Sequence, residues 1–157
     1  MHWLFAYGSN MHLYDLERWL ATSNLPPGKI LQAHAATLVG YRLVWNYYSP
    51  VRGGGAANIE PADTLLPGVL LEVDEAALAA IDRKEGHPTR YRRTLADALL
   101  GTGGRLRAFT YVAEAPHIRQ EYVAPTRHYL GLLLEGARNF ALPRAHIEAL
   151  EALETID

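Results

Sequence analysis

The sequence contains no cysteine, and its only lysines are Lys29 and Lys84. The first absence excludes thiol nucleophiles, disulfides and thiolate metal sites, and the second leaves few candidates for a Schiff base. The seven histidines form no HxxxH or HxH pair, so we expect no metal site and no cofactor. Any catalytic chemistry must therefore use carboxylates, hydroxyls and backbone amides.

Long hydrophobic runs and an excess of one charge are also lacking. No apolar run approaches the roughly 20 residues of a transmembrane helix, and the N-terminal segment lacks the basic head and long apolar stretch of a secretion signal. The 15 Lys and Arg against 17 Asp and Glu leave a formal net charge of −2, which argues against a broad nucleic-acid-binding surface. We therefore expect a cytoplasmic protein that binds neither nucleic acid nor membranes.

The composition is typical of a globular domain with a hydrophobic core. The 157 residues are 49% hydrophobic and 20% charged, and roughly 100–200 residues form one domain, so we expect a single domain over residues 1–157. Predicted strands outnumber helices and mostly follow one another directly, which favours an antiparallel or mixed sheet. The predicted fold is α+β, a small curved sheet or partly closed barrel with helices packed around it.

Apolar periodicity and turn residues locate the individual elements. Strands are predicted at residues 3–7, 35–47, 57–59, 68–73, 91–95 and 106–112. Helices are predicted at residues 13–20, 75–84, 129–137 and 145–153. Asp74 is a suitable N-cap for the second helix, and Gly86 is placed to end it. Residues 53–55, three consecutive glycines, are interpreted as a flexible or closely packed loop.

The first candidate site is Tyr7-Gly8-Ser9-Asn10, at the end of the first predicted strand. A strand that runs into Gly-Ser-Asn can turn so that successive backbone N–H groups point into one concavity, which binds a carboxylate or a developing oxyanion. An ordinary turn is the alternative, because these are common turn residues. A nucleophilic role for Ser9 is disfavoured, since the segment lacks the Gly-x-Ser-x-Gly elbow and a local base.

The second candidate is Glu85, directly before the glycine that ends the second helix. The negative end of the helix dipole disfavours the ionised form of a carboxylate there, which suits a general base. A solvated glutamate beside Arg83 and Lys84 is the alternative. Two interpretations of the arginines at 90, 92 and 93 remain: a basic patch, or a strand face exposed to solvent.

Several short motifs follow one another along nearly the whole chain. They are Phe5-Ala6-Tyr7-Gly8-Ser9-Asn10, then Asp82-Arg83-Lys84-Glu85-Gly86 followed by Tyr91, then Pro125-Thr126-Arg127-His128-Tyr129. In this order the chain resembles the γ-glutamylcyclotransferase family, in particular its bacterial members and the cyclotransferase of butirosin biosynthesis.

The resemblance implies a small mixed β-barrel with flanking helices and a small-molecule γ-glutamyl substrate. It implies a metal-independent enzyme, a cyclising lyase or acyltransferase of the kind found in glutathione metabolism, that forms 5-oxoproline. It places the general acid/base on Glu85. It places substrate contacts on Tyr7, Gly8, Ser9, Asn10, Tyr129, Tyr111 and Tyr91.

Elementary chemistry agrees with this activity. In a γ-glutamyl amide the free α-amine can attack its own γ-carbonyl, so the enzyme needs no serine, cysteine or metal as a nucleophile or activator. Alignment of the two groups within one molecule supplies part of the roughly 7–11 kcal/mol by which such alignment can lower an activation barrier. Two alternatives stay open. One is removal of a γ-glutamyl protecting group from a biosynthetic intermediate, and the other is a non-catalytic module that binds γ-glutamyl ligands.

Overall fold

In the computed structural model, which describes residues 1–157, five strands close into a barrel. The strands are β1 (His2–Ala6), β2 (Ile30–Ser49), β3 (Gly54–Val73), β4 (Tyr91–Leu100) and β5 (Arg105–Ala113). Their order around the barrel is β1-β3-β2-β4-β5, and neighbours are antiparallel except β1 and β5, which meet in parallel at Leu4 and Phe109. The predicted α+β barrel with a mixed sheet is confirmed, and its closure is complete.

Four helices flank the barrel, as predicted. They are α1 (Leu13–Thr22), α2 (Glu75–Glu85), α3 (Arg127–Asn139) and α4 (Arg144–Glu151). The side chain of Asp74 caps α2 by accepting the Ala77 N–H at 2.8 Å, and Gly86 ends the helix with a φ of 69°, a conformation that favours glycine. None of the helices combines the length and apolarity needed to cross a membrane.

The strand β3 corrects the prediction of two brief strands after a glycine loop. Residues 54–73 form one strand of 20 residues that pairs with β2 along its length. Prolines usually interrupt a strand, because they lack the N–H that pairs with a neighbouring strand. Here β3 continues through Pro61, because the pairing register of β2 shifts between Val39 and Tyr41 and Tyr41 then lies opposite the proline. Gly40, at the shift, has a φ of 86°. This continuity could not be predicted from the sequence, because it depends on a partner strand that is distant along the chain.

The predicted glycine loop is also corrected, since two of its residues belong to β3. Gly55 donates its N–H to the Ala124 carbonyl at 2.8 Å. A Cβ atom at Gly55 would lie 1.9 Å from the Val123 carbonyl oxygen. Of the two interpretations of these glycines, close packing is confirmed for Gly55.

One continuous hydrophobic core joins the barrel to its helices. The largest side chains in it are almost fully buried in every layer, from Leu4 and Phe5 in β1 through Leu70 in β3 to Ile81 in α2 and Leu133 in α3. Burial of each such side chain contributes roughly 1.5–3 kcal/mol. The strand ends and helix ends that surround the site are therefore held on a rigid scaffold.

Close packing at Gly55 generates a prediction for stability. We expect Gly55→Ala to lower the free energy of unfolding by about 2 kcal/mol or more, because the added methyl group overlaps a backbone carbonyl. For a chain of this size that corresponds to a fall in melting temperature of about 4–8 °C. Thermal unfolding followed by circular dichroism measures it.

Gly101→Ala is the matched control. No atom lies within 4 Å of a Cβ built at Gly101, so the same substitution there should leave the melting temperature unchanged or slightly raised. Equal melting temperatures for the two variants would contradict the prediction.

Candidate active site

A cavity of about 610 Å³ opens at one end of the barrel. The strands β1, β2 and β5 finish at this end, and β3 and β4 begin there, so loops and helix ends surround it. The structure brings together all the residues that the sequence analysis assigned to a site: the cavity is lined by Tyr7, Gly8, Ser9, Asn10, Glu85, Tyr91, Tyr111 and Tyr129. These residues come from five separate segments of the chain.

Glu85 is held by a hydrogen-bond chain at the last turn of α2. The Asn10 side-chain amide donates to Glu85 Oε1 at 2.7 Å, and Lys84 Nζ donates to Asn10 Oδ1 at 2.5 Å. Because a lysine only donates and a carboxylate accepts, the two partners determine which way the Asn10 amide points. Glu85 is half-buried and lines the cavity, so it differs from the solvated glutamate that was the alternative.

Lys84, the neighbour of Glu85 in the last turn of α2, is half-buried as well. Burial lowers the pKa of Lys84, while the negative charge of Glu85 acts in the opposite direction. The side chain therefore acts as a donor inside the site, directed at Asn10.

Two of the tyrosines belong to one hydrogen-bonded path beneath the cavity. The Tyr7 hydroxyl donates to the Tyr111 carbonyl at 2.7 Å. The Tyr111 hydroxyl donates to Asp82 Oδ1 at 2.6 Å, and the other oxygen of Asp82 accepts from Arg93 at 2.7 Å. This path ties the end of β1 to β5 and to α2.

The other two tyrosines meet at Ala57 in β3. The Tyr91 hydroxyl donates to the Ala57 carbonyl at 2.8 Å, and the Ala57 N–H donates to the Tyr129 hydroxyl at 3.0 Å. A Cβ at Gly8 would lie 3.2 Å from the Tyr129 hydroxyl oxygen, so the tyrosine needs a small residue at this point of the loop. The contacts pack the loop after β1 against α3.

The tyrosine cluster (Tyr7, Tyr91, Tyr111 and Tyr129) stays protonated at neutral pH. Burial raises the pKa of all four phenols, and the negative charge of Glu85 adds to the effect in each. For Tyr129 the pKa rises to about 12, because backbone N–H donors and Arg52 partly offset burial. The four hydroxyls are therefore hydrogen-bond groups and not bases near neutral pH.

The segment after β1 forms a short 3₁₀ turn, Ser9–Met11. The first N–H groups that bond within it are those of Met11 and His12, which donate to the carbonyls of Gly8 and Ser9 at 3.0 Å. The N–H groups of residues 8–10 precede these bonds, so they have no partner inside the turn. A compact turn beside a carboxylate and a cavity is the setting in which backbone donors can bind a substrate oxygen.

Arg52 and Asp15 are site residues that the sequence analysis missed. Arg52 donates to Ser9 Oγ at 3.3 Å and lies 5.4 Å above the ring of Tyr129. Its guanidinium is 4.0 Å from Asp15 Oδ2. Neither residue belongs to a recognisable motif. Arg52 follows the end of β2, and Asp15 lies in α1. Only the pairing of distant segments brings them together.

The arginines at 90, 92 and 93 do not form one basic patch. Arg92 pairs with Glu114 and Arg93 with Asp82, whereas Arg90 lines the cavity. No group of three or more histidine or acidic side chains is placed to hold a metal ion.

Comparisons with known proteins converge on one family. Residues 4–131 match the family model described as "Gamma-glutamyl cyclotransferase, AIG2-like". Among curated protein sequences, none matches the chain at a significant level.

Solved structures share the fold at low sequence identity. A structure described as gamma-glutamyl cyclotransferase has a TM-score of 0.83 at 21% identity, over 99% of this chain and 89% of the other. YkqA from Bacillus subtilis has a TM-score of 0.80 at 22% identity, over 98% of this chain and 55% of its own. A glutathione-specific γ-glutamyl cyclotransferase from yeast has a TM-score of 0.64 at 13% identity, over 95% and 93%.

The Tyr129 hydroxyl generates a second stability prediction. In Tyr129→Phe the buried N–H of Ala57 loses its acceptor, which should cost about 1–3 kcal/mol and lower the melting temperature by about 2–12 °C. The control is Tyr14→Phe. Tyr14 is 73% exposed, and the variant keeps the aromatic ring over which Arg18 lies. Unfolding curves that coincide for both variants and wild type would show that the hydroxyl contributes nothing.

Proposed function

The chain belongs to the gamma-glutamyl cyclotransferase, AIG2-like family, and we propose that it cyclises γ-glutamyl compounds to 5-oxoproline, releasing an amine or an amino acid. The observation that carries the proposal is the position of Glu85. Its carboxylate, held by Asn10 at 2.7 Å, shares a cavity with the Tyr7–Asn10 loop and the tyrosine cluster. This arrangement supports proton transfer beside a binding site for a small acyl group.

In the proposed reaction the substrate supplies its own nucleophile. The α-amine attacks the γ-carbonyl carbon, a ring C–N bond forms, and the original amide C–N bond breaks. The α-amine is an ammonium near neutral pH and loses two protons in becoming the ring N–H. Glu85 accepts the first and returns it to the leaving nitrogen, and the second passes by the same carboxylate to the released amine, which leaves as an ammonium. A bent γ-glutamyl conformer in the cavity brings the amine and carbonyl together, which supplies much of the rate enhancement in intramolecular reactions.

The loop after β1 is proposed to stabilise negative charge on the substrate. The N–H groups of Gly8 and Asn10 can donate either to the carbonyl oxygen as it becomes charged or to the α-carboxylate, whereas that of Ser9 faces the Tyr129 hydroxyl. One donor to an oxyanion is typically worth about 3–4 kcal/mol. The tyrosine cluster stays neutral and is proposed to shape the pocket for the γ-glutamyl chain.

We predict that Glu85→Gln folds normally but loses turnover by about 10²–10⁴-fold or more, because an amide can neither accept nor return the proton. The measurement is 5-oxoproline release from a panel of γ-glutamyl dipeptides, γ-glutamyl amines and glutathione. Wild-type protein is expected to act on at least one member with a chelator present. Turnover of the variant within about threefold of wild type, with an unchanged melting curve, would refute the role of Glu85.

The matched control is Glu121→Gln, which makes the same chemical change at an exposed glutamate outside the cavity. It should keep wild-type turnover. Binding of γ-glutamyl compounds without any 5-oxoproline would instead favour a non-catalytic binding module. Turnover confined to a larger γ-glutamyl intermediate would favour removal of a protecting group.

We also predict that Ser9 binds substrate and is not a nucleophile. In Ser9→Ala the hydroxyl that accepts from Arg52 is lost, so KM should rise by up to about tenfold while kcat changes less. Removal of a true nucleophile costs on the order of 10⁶ in kcat. A loss of that size, or a glutamyl adduct on Ser9 detected by mass spectrometry in the wild type, would contradict the prediction.

A further inference from the structure

His12 stands at the junction between the loop after β1 and the helix α1. Its backbone N–H donates to the Ser9 carbonyl at 3.0 Å and closes the 3₁₀ turn, and its carbonyl accepts the Leu16 N–H at 3.0 Å as the first bond of α1. The residue does not line the cavity. The loop and the helix therefore share one residue that lies outside the site described above.

The ring of His12 is bonded at both of its nitrogens. Nδ1 accepts the Asp15 N–H at 3.1 Å, which caps the start of α1. Nε2 lies 2.6 Å from Glu135 Oε2 in α3. A ring nitrogen that accepts an N–H carries no proton, and a carboxylate only accepts, so the proton of the ring must be on Nε2. The two partners thus determine one neutral tautomer, because a ring protonated on both nitrogens would lose the cap.

The cap holds a part of α1 that is connected to the loop. Asp15, whose N–H is bonded to the ring, places its carboxylate 4.0 Å from the guanidinium of Arg52. Arg52 in turn donates to the Ser9 hydroxyl at 3.3 Å. The first N–H groups of a helix have no partner within it, so the first turn frays when the cap is lost. Fraying here would move Asp15 and loosen the arginine that contacts the loop.

The bond to Glu135 connects the same junction to α3. This helix already packs directly on the 3₁₀ turn, because a Cβ at Gly136 would lie 2.9 Å from backbone and side-chain atoms of Met11. The His12 side chain is 17% exposed, whereas that of Glu135 is 68% exposed. A contact with so exposed a carboxylate adds little stability by itself. Its contribution is to hold the proton on Nε2, which leaves Nδ1 to accept from the helix.

We propose that His12 is a positioning residue for the Tyr7–Asn10 loop, which it holds through the cap of α1 as the neutral tautomer protonated on Nε2. The inference rests on the proposed cyclisation for its effect on kinetics, whereas the tautomer and the cap are properties of the fold. The loop is proposed to bind the substrate and Glu85 to transfer the proton. Loss of the cap should therefore act on KM more than on kcat.

The kinetic test compares His12→Ala with His12→Asn, because asparagine is a good N-cap and alanine is a poor one. In His12→Ala the melting temperature should fall by about 2–8 °C. For the γ-glutamyl compound that the wild type turns over fastest, KM should rise about two- to tenfold with kcat changed less. His12→Asn should recover most of both losses.

The matched control is Asp74→Ala, which removes the cap of α2 at the end of that helix far from Glu85 and outside the cavity. It should lower the melting temperature by a similar amount without raising KM. A cap that serves only stability would give the same result at both helices.

Two nuclear magnetic resonance measurements require no turnover. The ¹⁵N signals of the His12 ring, identified by their absence from His12→Asn, should show a proton on Nε2 alone near neutral pH. The Met11 N–H closes the turn on the Gly8 carbonyl. Its hydrogen exchange should be faster in His12→Ala than in the wild type and unchanged in Asp74→Ala.

A wild-type KM in His12→Ala, no recovery in His12→Asn, or a ring protonated on Nδ1 would overturn the positioning role and leave the cyclisation intact. Absence of 5-oxoproline from the wild type with the whole panel would overturn the cyclisation. In that case wild-type exchange of the Met11 N–H in His12→Ala would overturn the role of His12 as well, and faster exchange would support it.

Discussion

Closure of the barrel between β1 and β5 is the constraint on which the rest of the site depends. The two strands meet in parallel at Leu4 and Phe109, and the buried Thr110 hydroxyl donates to the Phe5 carbonyl at 3.1 Å. Just beyond the end of β1, the hydroxyl of Tyr7 donates to the carbonyl of Tyr111. Without this closure the loop after β1 would have no wall on its β5 side, and residues about a hundred positions apart would not share a cavity.

Burial then divides the polar groups of the cavity into two sets. The tyrosine cluster is buried and remains neutral, because desolvation disfavours the phenolates. Three of its hydroxyls donate to oxygens of the protein, and that of Tyr129 accepts a backbone N–H. The carboxylate of Glu85 is held through one oxygen, which leaves its other oxygen for a substrate proton, whereas Asp15, the other carboxylate of the cavity, faces the guanidinium groups of Arg18 and Arg52. The proposed chemistry follows from this difference in hydrogen-bond saturation.

The parts of the site that could be predicted from sequence are the ones that local chemistry determines. Asp74 and Gly86 delimit α2, so the position of Glu85 at a helix end follows from the residues around it. The turn at Gly8 follows in the same way. Arg52, Asp15 and the continuity of β3 could not be predicted, because each depends on a partner strand or helix that is distant in sequence. Arg90 was visible as a charge, but its hydrogen bond to the hydroxyl of Tyr47, 43 residues earlier, was not.

The tyrosine cluster and the arginines that line the cavity face different constraints on change. The tyrosine cluster binds backbone groups of strands and of the loop, so a substitution there leaves a buried donor or acceptor unsatisfied and acts on folding as well as on the site. Of the cations that line the cavity, Arg18, Arg83 and Arg90 are exposed, so a lost partner there can be replaced by water at little cost. The fold itself is shared with structures that are only about 20% identical. Substitutions at these exposed arginines are therefore expected to spare the carboxylate and the loop that are proposed to perform the cyclisation.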